Sequence, residues 1–541
     1  MGQINFNIDW MPSFPLGHQK STKDEVSQQQ DQERAQRIVE RRKRQLENEV
    51  EETFEERYGT STNLVSLLRI CSMPQTLRWF ILKIFLKIYQ RICKTPTHKP
   101  TLQLEQFILK PLRLTTLFNH CHENAPLPLY QSSYRPFHST ETALLKVQSD
   151  ILSNMDNQEV TLLVLLDLSA AFDTIDRRIM LEILRSDFGV CGDALEWFRS
   201  YLSERKQHVI VDQQSSKIFN VNSGVPQGSC LGPVLFILYA SRLFEVVKKH
   251  LPLVHGYADD TQLYVSFRPA STAAEDAAVK AMESCIDDVR AWLACNKLMC
   301  NDSKTELLII GSRRQLSKIS TNCIRVGNCD IKSQESVRNL GSWFDNHLSM
   351  SMHIGKVCSK AFRGLYNIRQ IRKYLSEDSI KILIHAFVTS HLDYCNSLLY
   401  GLPQYQYDRL QKVLNAAARV TCYIPKFEHI SPVLMRLHWL PIRYRVEYKI
   451  ALLVFKALHG LAPVYITELI KAKPVTRYSL RSDSGKFLQV PSVRCKTFGE
   501  RAFVHAGPTV WNALPLSLRI CDNLNCFKKR LKTHLFVKAF N

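Results

Sequence analysis

Leu162-Leu163-Val164-Leu165-Leu166-Asp167 is the stretch on which the reading of the fold turns. Five consecutive apolar residues suit a strand buried on both faces, because a strand with one wet face would alternate. The run ends directly in a carboxylate. Charge at the open end of a buried strand is costly unless a cation or partner balances it, which makes Asp167 a candidate ligand. Beyond it, Ile175, Ile179 and Ile183 form the apolar stripe of a helix, with Asp173 or Thr174 as its N-cap.

A second acidic site follows. Leu251 to Tyr257 leads into Ala258-Asp259-Asp260, and Thr261 to Val265 continues the apolar character. Two such segments around a short acidic turn predict a β-hairpin with Asp259 and Asp260 at its tip. Paired beside the first strand, the hairpin brings three carboxylates toward one point, where their repulsion calls for hard cations such as Mg²⁺. Taken alone, Tyr-x-Asp-Asp also suits an ordinary surface turn. Between the acidic sites, Gly224 and Gly228 flank Val225-Pro226-Gln227 and allow the backbone to approach a ligand closely. Gln227 offers hydrogen bonds to a sugar or base edge.

The 541 residues are 45% hydrophobic and 22% charged, which excludes a disordered polyelectrolyte and allows several domains or subdomains. A formal charge of +21 points to a polyanionic partner, a solvated basic surface being the plain alternative. The charge is unevenly spread: residues 351–541 carry 30 Lys and Arg against 10 Asp and Glu, whereas residues 1–60 are net acidic. That distribution suits a core that keeps its carboxylates, followed by a region that grips phosphates. The 16 cysteines show no CxxC pair and no Cys/His cluster at zinc spacing, and are expected as free thiols in a reducing compartment. No signal peptide pattern is visible at the start. Leu64 to Cys93 is interrupted by Arg69, Arg78, Lys83, Lys87 and Arg91, so it reads as basic amphipathic helix rather than a membrane span. An intracellular protein, nuclear or cytoplasmic, without a membrane partner is expected.

Residues 31–58 lack Gly and Pro and predict a solvated helix or short coiled coil within a charged helical leader, residues 1–97. Strand and helix signals alternate over roughly 101–350, as in an α+β or α/β core. From Met352 the pattern becomes helical, with Ile354, Val357, Ala361, Leu365 and Ile368 stepping by three and four. Further helical stretches run through 380–399, 407–420 and 443–458. Trp343, Trp439 and Trp511 read first as packing residues and second as surfaces for base stacking.

LVLLDLSAAFDTID (163–176), SGVPQGSCLGPVLF (223–236) and YADDTQLY (257–264), in this order and spacing, resemble the A, B and C motifs of reverse transcriptases from LINE-type non-LTR retrotransposons. LYQSSYRPFHSTETAL (129–144) resembles the fingers motif, NKLMCNDSKTELLIIGS (296–312) motif D, and VRNLGSWFD (337–345) the segment after it. The similarity continues through residues 385–403 and 437–466, as in jockey-like and chicken-repeat-like elements. The resemblance implies an α+β right-hand polymerase, with fingers and palm over 98–312, a motif E region and thumb over 313–400, and a basic helical C-terminal extension over 401–541. By position it implies that Asp167, Asp259 and Asp260 hold two Mg²⁺ ions, with Mn²⁺ as an alternative, and that the Leu168 carbonyl adds a ligand. It implies Phe172 as the steric gate that excludes a ribose 2′-hydroxyl, and Gln227 and Gly228 as lining of the nucleotide pocket. Lys304 becomes a proton donor to pyrophosphate, and Arg135 a clamp on the incoming triphosphate. The implied partners are an RNA template, a DNA primer and dNTPs.

The chain departs from the family in three ways. Fewer than 135 residues precede Arg135, too few for the endonuclease of such elements, so a 5′-truncated copy is expected. The upstream fingers segment is reduced to LEQFILKPLRL (104–114), and Ser133 stands where the family usually has Gly. The expected activity is RNA-directed DNA polymerisation by two-metal-ion phosphoryl transfer, and the rival is an inactive remnant that still binds nucleic acid. A palm-fold nucleotide cyclase is disfavoured, because the SGVPQG loop and the basic extension have no role in one.

Overall fold

The apolar run does form a strand, and its two faces enter different cores. The computed structural model describes residues 120, 127–211, 214–226, 228–229, 231–473 and 486–541, all within one compact unit spanning 106–541. The expected leader (1–97), the stretch 104–114 and Gln227 lie outside the described residues. The principal elements in chain order are α1 Thr140–Asp156, β1 Val160–Leu166, α2 Arg177–Ser186, α3 Gly232–Tyr239, β2 Leu253–Tyr257, β3 Asp260–Phe267, α4 Thr272–Cys295 and β4 Glu306–Ile310. They are followed by the hairpin β5 Ser336–Asn339 and β6 Ser342–Asp345, then α5 Ser351–Ile371, α6 Gln404–Cys422, α7 Ile442–Leu458, α8 Phe503–Asn512 and α9 Leu524–Phe540. The architecture is α+β.

β1 lies second in a four-stranded antiparallel sheet of order β4-β1-β3-β2. Because side chains alternate along a strand, Leu162, Val164 and Leu166 face one side and Leu163 the other. The first face packs with Leu263, Leu307 and Ile309 against α3 and α4. Helix α3 is apolar all round, with Val234 to Tyr239 every one buried, as a helix enclosed by core must be. The second face, through Leu163, Tyr264, Leu308 and Ile310, joins a core that runs through α1 and on into α5 to α9. Fully burying one such leucine contributes roughly 1.5–3 kcal/mol.

Helix α1 begins at a capping box, in which the Ser139 side chain accepts from the Thr142 N–H and the Thr142 hydroxyl accepts from the Ser139 N–H. The C-terminal region holds this helix at both ends. Near its start Glu141 meets Lys449 at 3.2 Å, and at its end the Asp156 carboxylate accepts the N–H groups of Arg494 and Cys495. In α5 the predicted stripe is buried at Ile354, Ala361, Leu365 and Ile368 and half-buried at Val357. The helical stretch expected over 380–399 is present with one interruption, at Tyr394 and Cys395. A helix over Glu377–Ile384 passes through a π-turn at His385–Thr389 and a further turn at Ser390–Asp393, and Cys395 takes a left-handed φ before a 3₁₀ turn at Asn396–Leu399.

Candidate active site

The first strand and the acidic hairpin are brought together by register. β3 pairs with β1 from Val160↔Phe267 to Leu166↔Thr261. Continued by one residue, that register sets Asp167 opposite Asp260. The hairpin itself closes between Tyr257 and Asp260 with Ala258 and Asp259 as its two central residues. Of these two only Ala258 has a positive φ, at 59°, a pattern that favours glycine at the first central position. A non-glycine residue there is disfavoured by roughly 1–2 kcal/mol.

Two residues of segment 130–133 hold this strained turn. The Ala258 N–H donates to Gln131 Oε1 at 3.0 Å and to Ser133 Oγ at 2.8 Å, and Gln131 Nε2 donates to the Ala258 carbonyl at 3.3 Å. Both side chains are buried. Behind them, the Ser132 hydroxyl sits 2.8 Å from His255 Nε2 on β2 and 2.8 Å from the hydroxyl of Tyr465 in the C-terminal region. Burial pushes the His255 imidazole down to about 3, so it is neutral at physiological pH. These contacts span more than a hundred residues of sequence, and reading the motifs one by one missed them. Ser133, a departure from the family pattern, was the available signal.

The carboxylates are electrostatically coupled. Crowding that strips hydration raises Asp260 to about 6, helped by the charges of Asp259 and Asp167, although its side chain keeps access to solvent at the rim. Asp259 is raised for the same leading reason, with Asp167 adding to it. Asp167 Oδ2 is buried and accepts no hydrogen bond, while the Lys304 ammonium stands 3.5 Å away as an ion-pair partner. A buried carboxylate oxygen held by an ammonium at ion-pair distance, beside two carboxylates that resist ionisation, is a donor set suited to a hard divalent cation. Among the described residues, no three His, Cys, Asp or Glu side chains are gathered closely enough to hold a metal ion, so the convergence of the triad is incomplete in this conformation.

Phe172 is set by the glycine loop. The Val225 N–H donates to the Phe172 carbonyl at 3.0 Å, the Gly224 N–H to that of Ile175 at 2.8 Å, and the Ser223 hydroxyl to that of Asp173 at 2.9 Å. Gly224 has φ 74°, and a Cβ there would lie 2.7 Å from the Asp173 backbone, so only glycine permits this stitching. The Phe172 ring, half-buried, packs 4.9 Å from that of Phe236 on α3. Asp176, rather than Asp173 or Thr174, caps α2, accepting from the N–H groups of Arg178 and Ile179. The turn at 170–174, entered with Ala170 at φ 49°, delays the helix by several residues.

Leu168 is buried in a two-residue ladder with Cys300, next to the Asn301 N–H that donates to the Asp167 carbonyl at 2.8 Å. This ladder carries the motif D segment, and with it Lys304, to Asp167. Gly228 lies in the loop before α3 with φ 75°. Arg135 turns inward, its Nη1 donating to the carbonyls of Pro128 at 2.8 Å and Gln131 at 3.0 Å. Its neighbour Tyr134 is exposed at 43%, its hydroxyl raised by partial desolvation and then by the charge of Asp259. Trp511 and Trp439 are buried, and Trp343 carries the Lys356 ammonium 5.5 Å from its ring centre. The 12 described cysteines are free thiols, and no described helix is long and apolar enough to cross a membrane.

Residues 73–344, half of the chain, match the family described as reverse transcriptase (RNA-dependent DNA polymerase). The RNA-directed DNA polymerase from mobile element jockey of Drosophila melanogaster is 27% identical over 281 residues, covering 50% of this chain and 29% of that protein. The probable RNA-directed DNA polymerase from transposon BS of the same organism is 23% identical over 313 residues, covering 56% and 34%. The chain thus spans about a third of the length of these curated relatives. Among solved structures, apo telomerase from Candida tropicalis, truncated from its C-terminal domain, aligns over 46% of this chain and 49% of that one, with 16% identity and a TM-score of 0.31.

Proposed function

Because this chain belongs to the reverse transcriptase (RNA-dependent DNA polymerase) family, with relatives of the non-LTR retrotransposon type, we propose that it extends a DNA primer on an RNA template by two-metal-ion phosphoryl transfer. The observation that supports this reading is the β1–β3 register, paired as far as Leu166↔Thr261, which extended by one residue brings Asp167 toward Asp260, whose carboxyl the charges of Asp259 and Asp167 help to raise.

Asp167, Asp259 and Asp260 would hold Mg²⁺. When bound, the ions supply Lewis-acid activation of the primer hydroxyl and charge compensation at pyrophosphate. The remaining work falls to this chain's residues. Phe172, fixed from behind by Phe236 and from the side by the glycine loop, forms the floor under the sugar, where a 2′-hydroxyl collides and a deoxyribose fits. Lys304 holds a proton within reach of the Asp167 carboxylate, where pyrophosphate leaves. The basic residues of 351–541 bind the template–primer backbone by charge and shape rather than by sequence.

The second reading, an inactive nucleic-acid-binding remnant, draws on Arg135, whose inward hydrogen bonds occupy a side chain expected to clamp triphosphate. Primer extension on an RNA template with purified full chain, Mg²⁺ and dNTPs separates the two. Templated extension is expected, whereas salt-sensitive binding of RNA–DNA hybrid without extension favours the remnant.

A further inference from the structure

The acidic turn is built with the wrong residue for its shape. Ala258 occupies a left-handed position that suits glycine, directly before Asp259. The pair Tyr257↔Asp260 closes the turn, and a further restraint on the Ala258 peptide comes from segment 130–133. Segment 130–133 lies along β2 through a parallel bridge between Gln131 and Gly256, with the Gly256 N–H donating to the Tyr130 carbonyl and the Ser132 N–H to the Gly256 carbonyl, each at 2.9 Å. That alignment carries Gln131 and Ser133 to the turn, where both accept the one Ala258 N–H while Gln131 Nε2 holds the Ala258 carbonyl. The Ser133 hydroxyl donates in turn to Gln131 Oε1 at 2.9 Å, so the two side chains fix each other as well as the peptide.

We propose that Gln131 and Ser133 are positioning residues for the metal-binding carboxylates, clamping the Ala258 peptide in the conformation that turns Asp259 and Asp260 toward Asp167. The inference rests on the polymerase reading above. Neither residue touches substrate. Their effect passes through one backbone amide, and Ser133 supplies an acceptor that a glycine at this position lacks. With the clamp gone, an alanine drifts out of the left-handed region, whereas a glycine still visits it freely.

The test uses the full chain, with Mn²⁺ as the probe, titration calorimetry for binding and the melting temperature for folding. Gln131→Leu combined with Ser133→Ala is expected to weaken Mn²⁺ binding about tenfold, the size of effect expected when a non-glycine residue must hold a left-handed turn unaided. Ser133→Ala alone, which leaves Gln131 as acceptor, is expected to weaken it by about threefold, roughly the loss of one neutral hydrogen bond. Adding Ala258→Gly to either variant restores most of the affinity, a rescue that loss of packing would not show. Clamp variants that bind Mn²⁺ as tightly as wild type overturn the proposal, and so does a loss that Ala258→Gly leaves in place or that simply follows a fall in melting temperature. A wild-type chain that neither binds Mn²⁺ nor extends a primer defeats the polymerase reading itself. A wild-type chain that does both while its clamp variants behave normally defeats only the clamp.

Discussion

Glu141 and Asp260 are both carboxylates on well-ordered backbone, yet their surroundings are opposite in kind. Glu141 meets the Lys449 ammonium at 3.2 Å and accepts the N–H and hydroxyl of Ser397, and its companions are treated alike. Asp156 ends on two backbone N–H groups, and Asp393 on the buried Arg445 guanidinium at 2.6 Å. At the acidic turn Asp259 and Asp260 face other carboxylates, and Asp167 meets the exposed Lys304 ammonium at 3.5 Å. Asp260 is raised toward neutrality and Asp167 keeps an oxygen with no hydrogen bond. Matched carboxylates fasten the C-terminal region to α1 and to itself, whereas those at the acidic turn are held close to one another. The contrast separates paired acids from crowded ones within a single fold.

The sharpest way to break that comparison is to neutralise each set. Asp259→Asn with Asp260→Asn is expected to cut primer extension by about a thousandfold or more, since the ligands of both ions are altered, yet not to lower the melting temperature of the metal-free chain. If melting fell as far as for the paired acids, the two sets would not differ. Arg445→Met is expected to do the reverse, because Asp393 and the Leu440 carbonyl lose their cation. A loss of about 2–4 kcal/mol is expected by denaturant titration, with extension per folded molecule preserved.

A pH series sharpens the same point. Asp260 is raised from an ordinary 3.8 to about 6, so its contribution to stability is complete below about 3.8 and is lost as pH rises through about 6. The metal-free chain therefore carries the repulsion above pH 6, and a divalent cation relieves it. Mg²⁺ at ten times its dissociation constant should add about 1.4 kcal/mol at pH 7.5 and little at pH 5, where the proton competes for the same oxygen. Equal stabilisation at both values would remove the turn as the site of binding. The smallest effect is expected from Lys304→Ala. This lysine is largely exposed, and a drop of only a few fold in single-turnover rate is predicted.

Much of the palm was legible in one dimension. Five apolar residues ending in Asp167 announced a strand buried on both faces, and Tyr257 to Asp260 announced a hairpin tip, because burial and turn formation act over a few neighbouring residues. The stripe of α5 was equally local, and four of its five positions proved buried. Local signals failed where distant contacts decided. The cap of α2 moved to Asp176 because the loop before it is stitched to the glycine segment some fifty residues later. The helical stretch expected over 380–399 is present but interrupted at Tyr394 and Cys395, with Asp393 drawn onto Arg445 of α7 and the 3₁₀ segment drawn onto Glu141 of α1.

The sequence by itself determined which residues carry charge, which run is buried and which family the motifs belong to, since these depend on composition and short-range pattern. Only the tertiary structure decided how the acids are used. The register Leu166↔Thr261 sets Asp167 opposite Asp260, and Ser133 reaches Ala258 across 125 positions. Hydrogen bonds and repulsion act over a few ångströms in space, whatever the distance along the chain. The same kind of group is therefore a fastening at Glu141 and a crowded acid, raised toward neutrality, at Asp260.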